Sequence, residues 1–288
     1  MSRRKTITKK IASLAVATLL AGTACVSLTG CETNRPEAKI TLSFNGETYV
    51  LQYELYRNLY PQTVRHFIEL ADAGYYNGTC IHNYTDSILY AGGYTYNKDQ
   101  TTNGGLVEKD YFSLAPSMKL TPSVFDMATD QSVYTLYGEF SDNGFKVESG
   151  AQSQKYGSLV MYYTDKSGDN SRVKTKRSSD GEIDSDKEYK YNSATSLFYV
   201  YTGSSSTRNS QYCTFAQLLD TDSSDVLDKL LDAIEDYVDT LEDEEDFLTE
   251  VTVRVDTKDP YVSSDKNTAT YTVPTMPIVI ESVKITKY

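Results

Sequence analysis

GYYNGTCIHNYTDSILYAGGY, Gly74 to Tyr94, is the stretch whose reading settles the fold. Two strand-like runs, TCIHNY and SILYAGG, flank a short polar turn, and a glycine pair, Gly92-Gly93, closes the second run. Upstream lies PQTVRHFIELADAGYY, in which Val64, Phe67, Ile68 and Ala71 fall on one face at helical spacing. Pro61 suits the first turn of that helix and Gly74 its stop. His66 stands in the helix beside Arg65, where a lone histidine without an acidic or nucleophilic partner is expected to be solvated. Further upstream, KITLSFNGETYVLQYELY alternates apolar and polar residues about Asn45-Gly46, a strong hairpin signal.

Downstream, strand-like runs recur at GSLVMYYT, SLFYVYT, YCTFAQLL and PIVIESVKI. Two helices amid many antiparallel-looking strands indicate a mainly β barrel or sandwich rather than a βαβ fold. Twenty-five tyrosines and no tryptophan suit such a strand-rich, partly polar surface. Two stretches break the pattern: the weakly patterned residues 100–133 read as an insertion, and the polar residues 166–191 as a mobile loop. The loop carries Lys174, Lys176 and Arg177, read as solvated charges rather than a docking patch. SDVLDKLLDAIEDYVDTLEDEEDFL is an amphipathic helix, with Leu227, Leu230, Leu231, Ile234, Val238 and Leu241 as its stripe. A calcium loop starting at Asp220 would need Gly at its sixth position and Glu at its twelfth. Asp225 and Leu231 stand there, so no calcium site is expected.

The first thirty residues read as a leader. MSRRKTITKK is basic, IASLAVATLLAGTACVSLTG is apolar and rich in small residues, and Leu28-Thr29-Gly30-Cys31 resembles a bacterial lipobox. The expectation is a signal peptide over 1–30, a lipidated Cys31 with a tether over 31–38, and one domain over 39–288. That places the protein outside the cytoplasm, anchored to the cell membrane through lipid. The whole chain has 28 basic and 40 acidic residues. Without the leader's five basic residues it is 23 against 40, a balance near −17 that repels phosphate backbones and excludes a nucleic-acid partner. Of the remaining cysteines, Cys80 and Cys213 lie in apolar runs, and either a disulfide or two buried thiols fits. Neither has a Cys or His at ligand spacing, so no metal or other cofactor is expected.

In order and content these blocks resemble the cyclophilin family of peptidyl-prolyl isomerases. YPQTVRHFIELADAGYYNGTCIH is similar to the family's first helix and following strand, LYAGGY to its glycine-pair strand, and YGEFSDNGF to a segment ahead of the next strand. GSLVMYYT, NSATSLFYVYTG, YCTFAQLL, DVLDKLLDAI and PIVIESVKI follow in the family's order. The resemblance implies a closed eight-stranded antiparallel barrel with two capping helices and large loop insertions, and a peptide groove on its outer face.

The function so implied is peptidyl-prolyl cis-trans isomerisation at the cell surface, assisting the folding of secreted proteins. Proline-containing peptides or secreted proteins would be the partners. The resemblance places Asn83 at the family's catalytic arginine, Ala91 at its backbone-binding glutamine and Leu197 at a second glutamine. Ile88, Leu89, Tyr199 and Tyr212 match positions of the proline pocket, with Met161 and Tyr163 on the neighbouring strand. A charged hydrogen bond is worth about 1.5–3 kcal/mol, so replacing its donor implies weak activity. Arg208 is a candidate substitute for the arginine. The alternative reading is a non-catalytic cyclophilin-fold lipoprotein that binds peptides or protein partners.

Overall fold

The computed structural model describes residues 33–100, 102–147, 150–163, 172–176, 183–188, 193–207, 210–254 and 268–288. The expected leader, Cys31 and the start of the tether lie outside these residues, as do Arg177 and Arg208.

The chain opens with a hairpin of β1 (Glu37–Phe44) and β2 (Glu47–Leu55), paired from Phe44↔Glu47 to Glu37↔Glu54. Asn45 and Gly46 both take positive φ, 46° and 86°, the left-handed pair a two-residue hairpin turn requires. Then come α1 (Pro61–Asp72), β3 (Thr79–Cys80), β4 (Asn83–Thr85), β5 (Ile88–Ala91), β6 (Tyr94–Tyr96), β7 (Leu106–Glu108) and the single-turn α2 (Tyr111–Leu114). They are followed by β8 (Val124–Asp126), β9 (Leu136–Tyr137), β10 (Leu159–Met161), β11 (Arg172–Lys176), β12 (Ile183–Glu188), β13 (Ser193–Ala194), β14 (Phe198–Tyr201) and β15 (Cys213–Leu218). The long α3 (Thr221–Val238), a hairpin of β16 (Leu248–Arg254) and β17 (Thr268–Pro274), and β18 (Val279–Lys287) complete the chain.

The fold is mainly β, with three α-helices among the described residues. Eleven strands form one strongly curled antiparallel sheet, a half-barrel in the order β4-β5-β14-β10-β15-β2-β1-β18-β3-β6-β7. Strand alternation sends Ile40, Leu42, Leu51, Tyr53, Phe198 and Phe215 to the concave side, as period-2 geometry dictates. Helix α1 brings Val64, Phe67, Ile68 and Ala71 to the same core, the face expected from their spacing. Phe67 is its centre, with ring centroids 5.2 Å from Tyr76, 5.6 Å from Phe198 and 5.1 Å from Phe215. Helix α3 packs on β2 and β15 through Leu227, Leu230 and Ile234. Asp220 caps it, accepting from the Ser223 N–H at 2.8 Å, so the acidic start of this segment is helix chemistry.

Helix α1 has no side-chain cap from its own N-cap residue, Tyr60. The buried Glu139 reaches across instead, accepting from the Gln62 N–H at 3.2 Å and the Thr63 N–H at 2.8 Å, a carboxylate at the positive end of the helix dipole. Burial raises its pKa above the ordinary 4.5, while the hydrogen bonds from Thr63 and Gln62 and the nearby Arg65 pull it back down. The native state therefore holds this proton where the unfolded chain has already released it. Its contribution to stability is complete below about 4.5 and is lost as pH rises through the folded-state value. Denaturant melts from pH 4 to 8 should show Glu139→Gln gaining relative to the parent chain as pH rises; parallel curves would remove this assignment.

Two expectations change. His66 is buried rather than solvated: its Nε2 donates to the Thr195 carbonyl at 2.8 Å, and burial lowers its pKa to about 4. Of residues 166–191, read as a mobile loop, all but 172–176 and 183–188 lie outside the described residues; these two runs form β11 and β12, and β11 also pairs with β8. The reason is Val173, buried with Val124 and Val133, which gives the polar run one apolar anchor. Lys174 of β11 pairs with Asp130 in the turn after β8. Residues 100–133, read as an insertion, pack onto the rest of the fold: Tyr111 of α2 enters the main core and Glu69 of α1 accepts from the Thr121 N–H at 2.8 Å. Cys80 and Cys213 are buried free thiols, and burial pushes Cys80 up to about 12.

Candidate functional site

On the convex face of the sheet, β5, β10 and β14 lie side by side, pairing Tyr199↔Tyr90 and Val160↔Tyr199. Alternation turns Ile88, Tyr90, Val160, Tyr199 and Tyr201 outward into one cluster. Ile88, Tyr90, Gln154, Tyr162, Tyr199, Thr207 and Tyr212 line a small cleft there, of about 120 Å³. Its walls are aromatic: Tyr90 lies 5.4 Å from Tyr199 and 5.7 Å from Tyr162, and Tyr212 stands edge-on to Tyr199 at 6.3 Å. Tyr199 is 3% exposed and Tyr212 39%, so one forms the floor and the other the rim. Burial, with the neighbouring phenols, raises the Tyr199 and Tyr90 hydroxyls above their ordinary value of 10. They are neutral donors and acceptors throughout the physiological range.

The structure brings together three of the residues singled out from the sequence: Ile88, Tyr199 and Tyr212. Leu89, Ala91, Met161 and Tyr163 belong to the interior core. The parity of the strands separates them: a residue one position from an outward tyrosine faces inward. Leu197 lies over the glycine pair, its Cδ2 only 2.4 Å from where a Gly93 side chain would begin. Gly92 has φ +94°, and a Cβ there would stand 2.4 Å from the Ser196 carbonyl oxygen, so this crossing needs glycine.

Asn83 is committed elsewhere. Its Oδ1 accepts from the Thr272 N–H on β17 at 2.9 Å. The β16–β17 hairpin is pinned beside it by Tyr271, whose ring packs on His82 at 4.9 Å and on Tyr94 at 5.5 Å. Val253 and Val273 join Cys80, Tyr94 and Leu106 in a second apolar cluster. The hairpin is an element the sequence reading missed, although LTEVTVR carries the period-2 signal of a strand.

The cleft residues missed are Tyr90, Gln154, Tyr162 and Thr207. Tyr90 was within reach, since it lies two residues from Ile88 on the same strand face. Gln154 and Thr207 sit on loops with no periodicity to mark them. Among the described residues no charged side chain lines the cleft. Chemically it can bind a small apolar ring against phenol faces, offer neutral hydrogen bonds and exclude water.

The sequence matches the family model for cyclophilin type peptidyl-prolyl cis-trans isomerase/CLD over residues 40–255. Among solved structures it is similar to a Cryptosporidium parvum cyclophilin type peptidyl-prolyl cis-trans isomerase, at 16% identity and a TM-score of 0.41, covering 88% of this chain and 99% of that one. It is similar too to that isomerase in the presence of the dipeptide Ala-Pro, at 17% identity, the same TM-score and the same coverage. No curated protein sequence matches it. The family-model match spans well over half of the 288 residues, and by it the chain belongs to the cyclophilin-type peptidyl-prolyl cis-trans isomerase family.

Proposed function

We propose that this protein is a cell-surface cyclophilin that binds proline-containing segments of secreted proteins in the tyrosine-lined cleft and isomerises them slowly. One observation carries the reading: the cleft lies on the outer face of a curled sheet in a chain of this family, and its rings enclose a space suited to a pyrrolidine ring. Closure of the sheet into an eight-stranded barrel belongs to the same proposal. Thr79–Thr85 counts as one bent strand, β3 running into β4, and Ile88–Tyr96 as another. The Ile81 N–H to Ile278 O bond at 2.9 Å and the His82 N–H to Tyr90 O bond at 3.0 Å support that count. The lipobox-like Leu28-Thr29-Gly30-Cys31 supports anchoring through a lipidated Cys31.

The barrier to prolyl rotation is about 18–20 kcal/mol, set by amide resonance. Transfer from water into an apolar cleft lowers it, because water hydrogen-bonded to the amide oxygen favours the planar form. Among the described residues no charged donor lines the cleft, so they do not supply the further stabilisation a cation would give. Slow turnover follows.

The test uses the full chain in detergent micelles and a tetrapeptide with Ala-Pro at its centre, followed by exchange between its cis and trans NMR signals. Acceleration is expected. Tyr212→Ala, at an exposed rim position, should weaken peptide binding about two- to tenfold, the worth of one aromatic contact, with the melting temperature unchanged. Binding without acceleration would leave a non-catalytic peptide binder, and no binding would end the proposal.

A further inference from the structure

Gln154 lies on the loop ahead of β10, and Thr207 on the loop between β14 and β15. Their backbones exchange two hydrogen bonds, Gln154 N–H to Thr207 O at 2.8 Å and Thr207 N–H to Gln154 O at 3.0 Å. This small bridge holds both loops at the rim of the cleft. The Gln154 side chain is fixed at its far end as well: the Tyr199 hydroxyl donates to its Oε1 at 2.7 Å. Tyr199 itself is almost fully buried and is positioned by its strand pairing to Tyr90 and Val160.

A planar carboxamide whose oxygen is pinned has the direction of its NH₂ settled too. Among the described residues no hydrogen bond uses Gln154 Nε2. The cleft therefore presents an oriented pair of N–H donors beside aromatic walls. A segment containing proline needs that polarity. Proline has no backbone N–H, so around it the peptide offers mainly carbonyl acceptors.

We infer that Gln154 grips the backbone of the bound peptide, its Nε2 donating to a carbonyl next to the rotating amide while the proline ring lies against Tyr90, Tyr199 and Tyr212. The inference rests on the reading of the cleft as a proline-peptide site. The gripped carbonyl is a neighbouring one for a physical reason. A hydrogen bond to the oxygen of the rotating amide would strengthen its resonance and raise the barrier, whereas one to an adjacent carbonyl holds the chain without that penalty. Tyr199 then has two roles, a ring under the proline and a hydroxyl that aims the amide.

The experiment measures the dissociation constant of the Ala-Pro tetrapeptide by NMR titration for five full-length chains: parent, Gln154→Met, Gln154→Glu, Tyr199→Phe and the Tyr199→Phe/Gln154→Met pair. Gln154→Met keeps the length of the side chain and removes the donors. A loss of about two- to tenfold is expected, the worth of a neutral hydrogen bond. Gln154→Glu keeps the acceptor for Tyr199 and should lose at least as much, which guards against a variant that simply fails to pack. Tyr199→Phe should lose less, and the pair no more than Gln154→Met alone, since the hydroxyl acts through the amide. Additive losses in the pair, or an unchanged dissociation constant in both Gln154 variants, would overturn the inference. If Tyr212→Ala still weakens binding in that case, the cleft reading survives; if it does not, that reading falls as well.

Discussion

A chain carrying Asn83→Arg and Ala91→Gln is expected to melt well below the parent and to isomerise the Ala-Pro tetrapeptide no faster. The family resemblance puts polar working groups at these two positions, which on its own would imply a gain. The geometry opposes it. Ala91 is fully buried in the interior core and pairs with Phe198, so a glutamine there projects into packed side chains and not into the cleft. Overpacking costs about 1–3 kcal/mol, and leaving the amide without partners adds about 1–3 kcal/mol more. Arginine at 83 has no acceptor for the Thr272 N–H and must displace the β16–β17 hairpin to reach outward. At about 2–4 °C per kcal/mol for a domain of this size, the melting temperature should fall by roughly 5–20 °C. A scan and an exchange measurement on the same sample settle it. A faster exchange rate in a well-folded variant would show that both side chains reach the peptide after all.

Phe67→Ala is expected to be nearly as damaging. The ring is fully buried in α1 and touches Tyr76, Phe198 and Phe215, which belong to the segment after α1, to β14 and to β15. Truncation removes the transfer energy of the ring and opens a cavity where helix and sheet meet, about 3–5 kcal/mol for a buried phenylalanine. Urea titration should show the midpoint falling while the slope stays constant. The cleft should loosen too, since Phe198 is the neighbour of Tyr199 on β14. A shift below 1 kcal/mol would mean that the site collapses around the gap more completely than dense packing permits.

The readings that survived are those written in local periodicity. The Asn45-Gly46 turn, the apolar face of α1 and the stripe Leu227, Leu230 and Ile234 needed only a few neighbouring residues, because turn sterics and the 3.6-residue repeat act at that range. Ile88, Tyr199 and Tyr212, named from motif order, line one cleft in the structure. Leu89, beside Ile88, and Met161 on β10 face the core instead, since strand neighbours point to opposite sides.

Other features lie beyond any local window. His66 is neutral because burial lowers its pKa against the opposing pull of its hydrogen bond to Thr195, 129 residues away in sequence. Asn83 is spoken for by Thr272, 189 residues away. Glu139 caps a helix that begins at Pro61, and Gln154 is aimed by Tyr199. From residue order alone came the first hairpin, the buried faces of α1 and α3 and the family resemblance, but not β11, β12 or the β16–β17 hairpin. Which side chains meet at the cleft, and which are already occupied, was decided only when distant segments packed, since a hydrogen bond depends on separation in space and not along the chain.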